Sequence, residues 1–100
     1  MALKVQHSKK AMAFFINLGN GSKAFLQYRE LPGRILEFEH TETPFEYQGR
    51  GIAKLLVKEG LKYAAENKYK ITPTCWYVLN YIEKEATEEE RNLSTTESCD

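Results

Sequence analysis

Cysteine occurs twice in the 100 residues, tryptophan once and proline three times, and the charges cancel, with 14 Lys and Arg against 14 Asp and Glu. Each scarcity excludes something. Cys75 and Cys99 have no second pair and no histidine at ligand spacing, so neither a disulfide framework nor a zinc ribbon can form and no metal is expected. Reduced thiols in cytosol or nucleus fit this usage. Long apolar runs are missing too. Nothing approaches the roughly 20 residues that span a bilayer, and Met1 to His7 lacks the apolar stretch of a secretory signal. The expectation is a cytoplasmic or nuclear protein with no membrane partner. What is present, 42% hydrophobic and 12% aromatic residues, suits one small domain with a single two-layer core and leaves no length for a second.

Zero net charge conceals a split. From Glu85 to Asp100 there are six acids and one base, Arg91, which leaves residues 1–84 with 13 bases against 8 acids. A basic body attracts anions. The bases are scattered, however, without the clustered Lys and Arg and interleaved aromatics of a nucleic-acid binder, and no nucleic-acid partner is expected. After Glu85 the only large apolar residue is Leu93, too little to offset the entropy of ordering. The composition therefore predicts a domain over residues 1–86 and an acidic, disordered tail over 87–100.

Within the body, Leu3 to His7 and Ala11 to Leu18 are rich in β-branched and aromatic residues, and Gly19-Asn20-Gly21-Ser22 supplies a turn. Ala24, Leu26 and Tyr28 alternate with Phe25, Gln27 and Arg29 in a third strand. Pro32-Gly33 makes a tight turn whose third position needs positive φ, and a fourth strand runs from Arg34 to about Glu42, ended by Pro44. The period then changes. Ala53, Leu56, Val57, Gly60, Leu61 and Ala64 recur at helical spacing, predicting an amphipathic helix from about Gly51 to Glu66 with Asn67 as its left-handed C-terminal residue. Tyr69 to Pro73 reads as a short strand. A second helix follows, with Thr74 as N-cap and Trp76, Leu79 and Ile82 facing inward. Phe14, Phe15, Phe25 and Phe38 are assigned to the core. This order, β-β-β-β-α-β-α, predicts an α+β (mixed α/β) sheet with two helices packed on it.

The stretch with the most chemistry is Gln48-Gly49-Arg50-Gly51-Ile52-Ala53, between a strand and the first turn of a helix. Glycines let a ligand approach the main chain closely. The unpaired N–H groups of a first helical turn sit at the positive end of the helix dipole, which makes an anion cradle suited to a pyrophosphate. The closing Gly-Lys-Ser/Thr of a P-loop and the third glycine of a dinucleotide fingerprint are both absent. ATP and NAD are therefore disfavoured.

The same six residues match the Gln/Arg-x-x-Gly-x-Gly/Ala signature of the GNAT acetyltransferase superfamily. With Glu39-His40-Thr41-Glu42-Thr43-Pro44 before it and Pro73-Thr74-Cys75-Trp76-Tyr77-Val78 after it, the chain resembles the minimal N-acetyltransferase domain-containing family over about residues 4–84, and its animal branch most. The resemblance implies a mostly antiparallel GNAT-like sheet with two splayed parallel strands. It also implies acetyl-CoA (coenzyme A) as cofactor and an amine of a small molecule or protein as acceptor. Backbone groups near Thr41, Glu42 and Thr43 would then pair with the pantetheine arm, and the amides of Gly49 to Lys54 would hold the diphosphate, so that the cofactor set is Thr41, Glu42, Thr43, Gln48, Gly49, Arg50, Gly51, Ile52, Ala53 and Lys54. Arg50 and Lys54 are further candidates to pair with phosphates through their side chains. Members of this minimal family lack the first helices of larger relatives, which implies an open acceptor groove.

Acetyl transfer to an amine needs a base for the amine, a donor to the developing oxyanion and a proton for the departing thiolate. Cys75, at the start of a helix after the second parallel strand, is a candidate nucleophile or acid, and equally a small buried hydrophobe. His40 and Glu42 are candidate bases that share one alternation parity; a structural histidine and a surface acid are the alternatives. Tyr77 and Tyr81 are candidate proton donors or core aromatics, and His7 reads as structural. The rival to an N-acetyltransferase is a non-catalytic acyl-CoA binding or sensing module. The acceptor and the oligomeric state are not legible.

Overall fold

The computed structural model describes residues 3–95. Its strands are β1 (Gln6–Ser8), β2 (Ala13–Asn17), β3 (Lys23–Leu31), β4 (Ile35–Glu42) and β5 (Lys70–Pro73), and its helices are α1 (Ile52–Glu66), α2 (Trp76–Lys84) and α3 (Glu88–Leu93). The sheet order follows the chain, β1-β2-β3-β4-β5, with antiparallel pairs throughout except β4 and β5, which run parallel. The α1 crossover between them has the length and period that a parallel connection demands. This is the mixed, mostly antiparallel sheet expected, with a third helix added.

One face of the sheet carries the core. Phe14 and Ile16 of β2, Ala24, Leu26 and Tyr28 of β3, and Leu36 and Phe38 of β4 meet Leu56, Val57, Leu61 and Ala64 of α1 and Val78, Tyr81 and Ile82 of α2 in one buried cluster. At Gly60 helix α1 lies tight against the sheet, where a Cβ would lie 2.8 Å from Phe38 Cζ. Among the described residues, no helix lies over the opposite face of the sheet. Phe15 and Phe25, assigned to the core from their strand context, sit half-buried on this outer face, because alternation puts Phe14 and Leu26 inward and their neighbours outward.

Four further local expectations are corrected. Asn67 closes α1 with a negative φ and its amide nitrogen donates to the Tyr63 carbonyl; the left-handed residue is Lys68, at φ 60°. Cys75, not Thr74, is the N-cap of α2, and the Thr74 hydroxyl donates to Glu37 instead. Trp76 is 76% exposed rather than inward-facing. The acidic segment from residue 87 is ordered through α3: Thr87 and Glu90 form a reciprocal capping box, the Tyr81 hydroxyl donates to Glu90, and Arg91 donates to the Ile82 carbonyl. Composition undercounted this segment because its anchors are polar. After α3, Ser94 bridges to Ile71 on the free edge of β5, and the Thr95 N–H donates to the Ile71 carbonyl. Residues 96–100, including Cys99, lie outside the described residues.

Candidate functional site

Chain direction at the cradle is set by two left-handed glycines, Gly49 at φ 81° and Gly51 at φ 75°, the latter the N-cap of α1. Any other residue would be strained there. A Cβ at either position would meet nothing within 4 Å. Both glycines line a cleft of about 470 Å³ together with Thr41, Thr43, Tyr47, Gln48, Ile52, Ala53, Trp76 and Tyr77. Gln48 steadies the loop by donating to the Thr43 carbonyl at 3.1 Å. The first turn of α1 has no side-chain cap and no acid, so its N–H groups are left for an anion in the cleft. These features fit the diphosphate of a coenzyme A thioester.

The far wall of the cleft is made by strand separation. Pairing of β4 with β5 ends at Phe38 opposite Pro73, where the Cys75 N–H donates to the Phe38 carbonyl; β4 continues through Glu42 with no strand on that edge among the described residues. The faces along this free stretch are reassigned by a bulge. Tyr28 pairs with Phe38 but Gln27 pairs with His40, leaving Glu39 as an extra residue of β4. Without it, alternation from Phe38 would turn His40 inward. With it, Thr41, opposite buried Leu26, faces the cleft, while His40, opposite Gln27, and Glu42, opposite Phe25, face outward.

Cys75 stands where the strands part, half-buried, its Sγ 3.6 Å from the Thr41 hydroxyl. Burial pushes its thiol up, but the backbone N–H groups of Val78, Tyr77 and Thr41 and the Thr41 hydroxyl outweigh that and hold it below the ordinary value. Tyr77 lines the same cleft, its phenol raised by burial and by the charge of Glu85.

The candidates from sequence therefore divide between two faces. Thr41, Thr43, Gln48, Gly49, Gly51, Ile52, Ala53, Cys75 and Tyr77 gather about the cleft. His40 and Glu42 lie together on the outer face, Nε2 to Oε2 3.5 Å, both more than half exposed. Lys54 is held by Glu85 at 2.9 Å, and Arg50 lies over the Tyr47 ring at 5.3 Å. Tyr81 is buried with its hydroxyl on Glu90, away from the cleft, and His7 is bound to the Tyr28 hydroxyl at 2.6 Å. Tyr47 is a cleft residue that the sequence reading did not single out. Its aromatic ring two residues before the cradle was the available signal.

Comparison with known proteins agrees with this geometry. The profile of the GCN5-related N-acetyl-transferase family matches residues 13–91. Protein NATD1 of Gallus gallus is 39% identical over 83 residues, covering 82% of this chain and 76% of that protein, and Protein NATD1 of Homo sapiens is 37% identical over 83 residues, covering 82% and 74%. In the NMR structure of a GCN5-like N-acetyltransferase candidate from Staphylococcus aureus, 25% identical, 96% of this chain and 91% of the other superpose with a TM-score of 0.74. A glycine cradle ahead of a crossover helix, two parallel strands parting at a β-bulge and a matching profile over most of the chain lead to one conclusion: the chain belongs to the GCN5-related N-acetyltransferase family.

Proposed function

We propose that the protein is an acetyl-CoA-dependent N-acetyltransferase whose acceptor amine arrives on the outer face of the sheet. The observation that carries the reading is the cleft itself, which runs from the glycine cradle at the N-terminus of α1 to the parted edge of β4 beside Cys75. Bound acetyl-CoA would supply an acetyl thioester, whose C–S bond is exchanged for an N–C bond to the amine. The N–H groups of Gly51 to Lys54 would hold the diphosphate, and the free edge of β4 near Thr41 to Thr43 would offer backbone groups to the pantetheine amides. On the outer face, His40 Nε2 is the group placed to take the proton that the amine loses, with Glu42 beside it to stabilise the imidazolium. On the cleft side, Cys75 Sγ and Tyr77 Oη are the groups able to return a proton to the departing thiolate. Cys75 has a second role open to it, as a covalent acetyl carrier, because its thiol is lowered and reaches the same edge.

The test is calorimetric titration with acetyl-CoA and coenzyme A, followed by thiol release in the presence of a panel of primary amines. Binding that is lost in Gly51→Glu, where a carboxylate is set into the anion cradle, together with amine-dependent thiol release, is the expected result. Binding without transfer would assign the protein to the alternative, an acyl-CoA binding or sensing module. The exposure of His40 and Glu42 on the outer face is the observation that favours that alternative over transfer.

A further inference from the structure

The outer face of the sheet holds a concavity that shares no lining residue with the cleft at the start of α1. It is a shallow groove of about 380 Å³ over β2 and β3, floored by Phe15 and Phe25 and flanked by Ala13, Gln27 and Lys23. Two large aromatic residues half-exposed side by side on a strand face are costly to leave in water. The groove borders the proposed acceptor side directly. Phe25 is the cross-strand partner of Glu42, Gln27 is that of His40, and the Phe25 and His40 rings lie 5.8 Å apart. Charge runs one way across it. Lys23 lies over Phe15 at 5.6 Å on the β2 side, while Glu42 and His40 lie on the β4 side, so a cation is repelled from the far end of the groove and drawn to the end next to the parted strands. Arg29 takes up Glu37 and Glu39 at 2.8 and 3.2 Å, which leaves Glu42 as the acid nearest the aromatic floor.

From this juxtaposition we infer that the preferred acceptor is a small amphiphilic primary amine, its apolar body seated on Phe15 and Phe25 and its amine carried over β4 by a flexible arm. This rests on the acetyltransferase reading above and gives it a substrate class. Strand spacing sets the arm length: from the groove over β2 and β3 to the gap between β4 and β5 is two spacings, about 10 Å. A short arylalkylamine seated on the aromatics falls short of the gap, and a plain alkylamine reaches it without an anchor. In the transfer the amine nitrogen forms its bond to the acetyl carbon as the C–S bond breaks, its proton leaves on the outer face and the thiolate gains one on the cleft side.

The experiment uses the whole chain and three probes: 6-phenylhexylamine, whose extended arm spans the two strand spacings, with hexylamine and 2-phenylethylamine as controls. In ¹⁵N-labelled protein, with and without coenzyme A, 6-phenylhexylamine is expected to shift the amides of Ala13 to Phe15, Phe25 to Gln27 and His40 to Glu42, and hexylamine to leave β2 unshifted. In the acetyl-transfer assay its kcat/KM is expected to exceed that of either control by about tenfold, the usual worth of one added apolar contact surface. Phe15→Ser, outside the cofactor cleft, should bring the preference for 6-phenylhexylamine over hexylamine towards one. Equal kcat/KM for the three amines, shifts away from these strands, or self-association through the Phe15 and Phe25 face at the concentration of the titration would each overturn the inference. Loss of coenzyme A binding would instead sink the acetyltransferase reading, and the shifts in cofactor-free protein would still decide whether the groove takes an amphiphilic amine.

Discussion

Cys75 is the residue where local structure and chemistry meet most closely. As N-cap of α2 its thiol faces the N–H groups of Tyr77 and Val78, while the parted edge of β4 adds the Thr41 N–H and hydroxyl. Burial raises the thiol, and these donors lower it by more, so the folded value lies below the ordinary 9.0. In a Cys99→Ser background, the pH profile of alkylation by iodoacetamide should have its midpoint below 9.0, and Thr41→Val, which removes the hydroxyl but keeps the side-chain volume, should move it upward. A midpoint at or above 9.0 would leave Cys75 a buried small side chain. Mass spectrometry of protein mixed with acetyl-CoA separates the two chemical roles: a Cys75 acetyl adduct marks a covalent carrier, and its absence alongside turnover marks a proton donor.

At the scale of elements, the meeting of α1 with the sheet is governed by the missing side chain at Gly60. A Cβ there would stand 2.8 and 2.9 Å from Phe38 ring carbons and 3.0 Å from Leu26 Cδ2, all within the buried cluster. Helix propensity alone favours Gly60→Ala by about 1 kcal/mol, while forcing a methyl into a packed core costs about 1–3 kcal/mol. The second effect is expected to win, with Gly60→Ala losing about 1 kcal/mol in urea denaturation; a gain of that size would mean that α1 can lift from the sheet without cost. The helix and its pattern were legible in the sequence, since a 3.6-residue period survives any tertiary context. The tight turn ahead of α1 was legible too, because glycine takes up positive φ without strain, and Gly49 and Gly51 both do so. What was not legible is anything that depends on register. The Glu39 bulge decides that Thr41 faces the cleft and that His40 and Glu42 face away, and no local property of Glu39 announces it. Phe15 and Phe25 carry the same strand propensity as Phe14 and Phe38. Among the described residues, what separates core from surface is that the helices cover one face of the sheet and not the other.

For the whole molecule, the decisive feature is that the three helices of the described residues stand on one side, so the buried core lies on one face of the sheet and Phe15 and Phe25 on the other are only half-buried. The third helix contributes to this through polar contacts. Tyr81, buried in the core, donates its hydroxyl to Glu90 at 2.8 Å, and Lys70 donates to the Asn92 carbonyl beyond it. Burial first, and then the bond to Glu90 with its charge, raise the Tyr81 phenol above its ordinary 10.0. Burial opposes ionisation of Glu90, but the Thr87 N–H and the Tyr81 hydroxyl outweigh it and hold the carboxyl below 4.5. The signs give a window. A raised phenol contributes stability that is complete below 10 and fades as pH rises towards its folded value, and a lowered carboxylate contributes stability that is present above 4.5 and fades as pH falls through its folded value. A chain ended after Ala86, which retains the Lys54–Glu85 ion pair, should therefore be less stable by about 2 kcal/mol at neutral pH, the worth of a hydrogen bond to a charged partner, or roughly 10 °C in Tm for a domain of this size. The difference between the two chains should shrink at both ends of the pH scale. Tyr28, raised to about 12 chiefly by burial, is common to both and supplies a shared alkaline loss against which the difference is read. Equal melting temperatures at neutral pH would mean that α3 only rests on the core. A gap that stayed constant into acid and alkali would place its contribution in the packing of Leu93 rather than in the Tyr81–Glu90 bond.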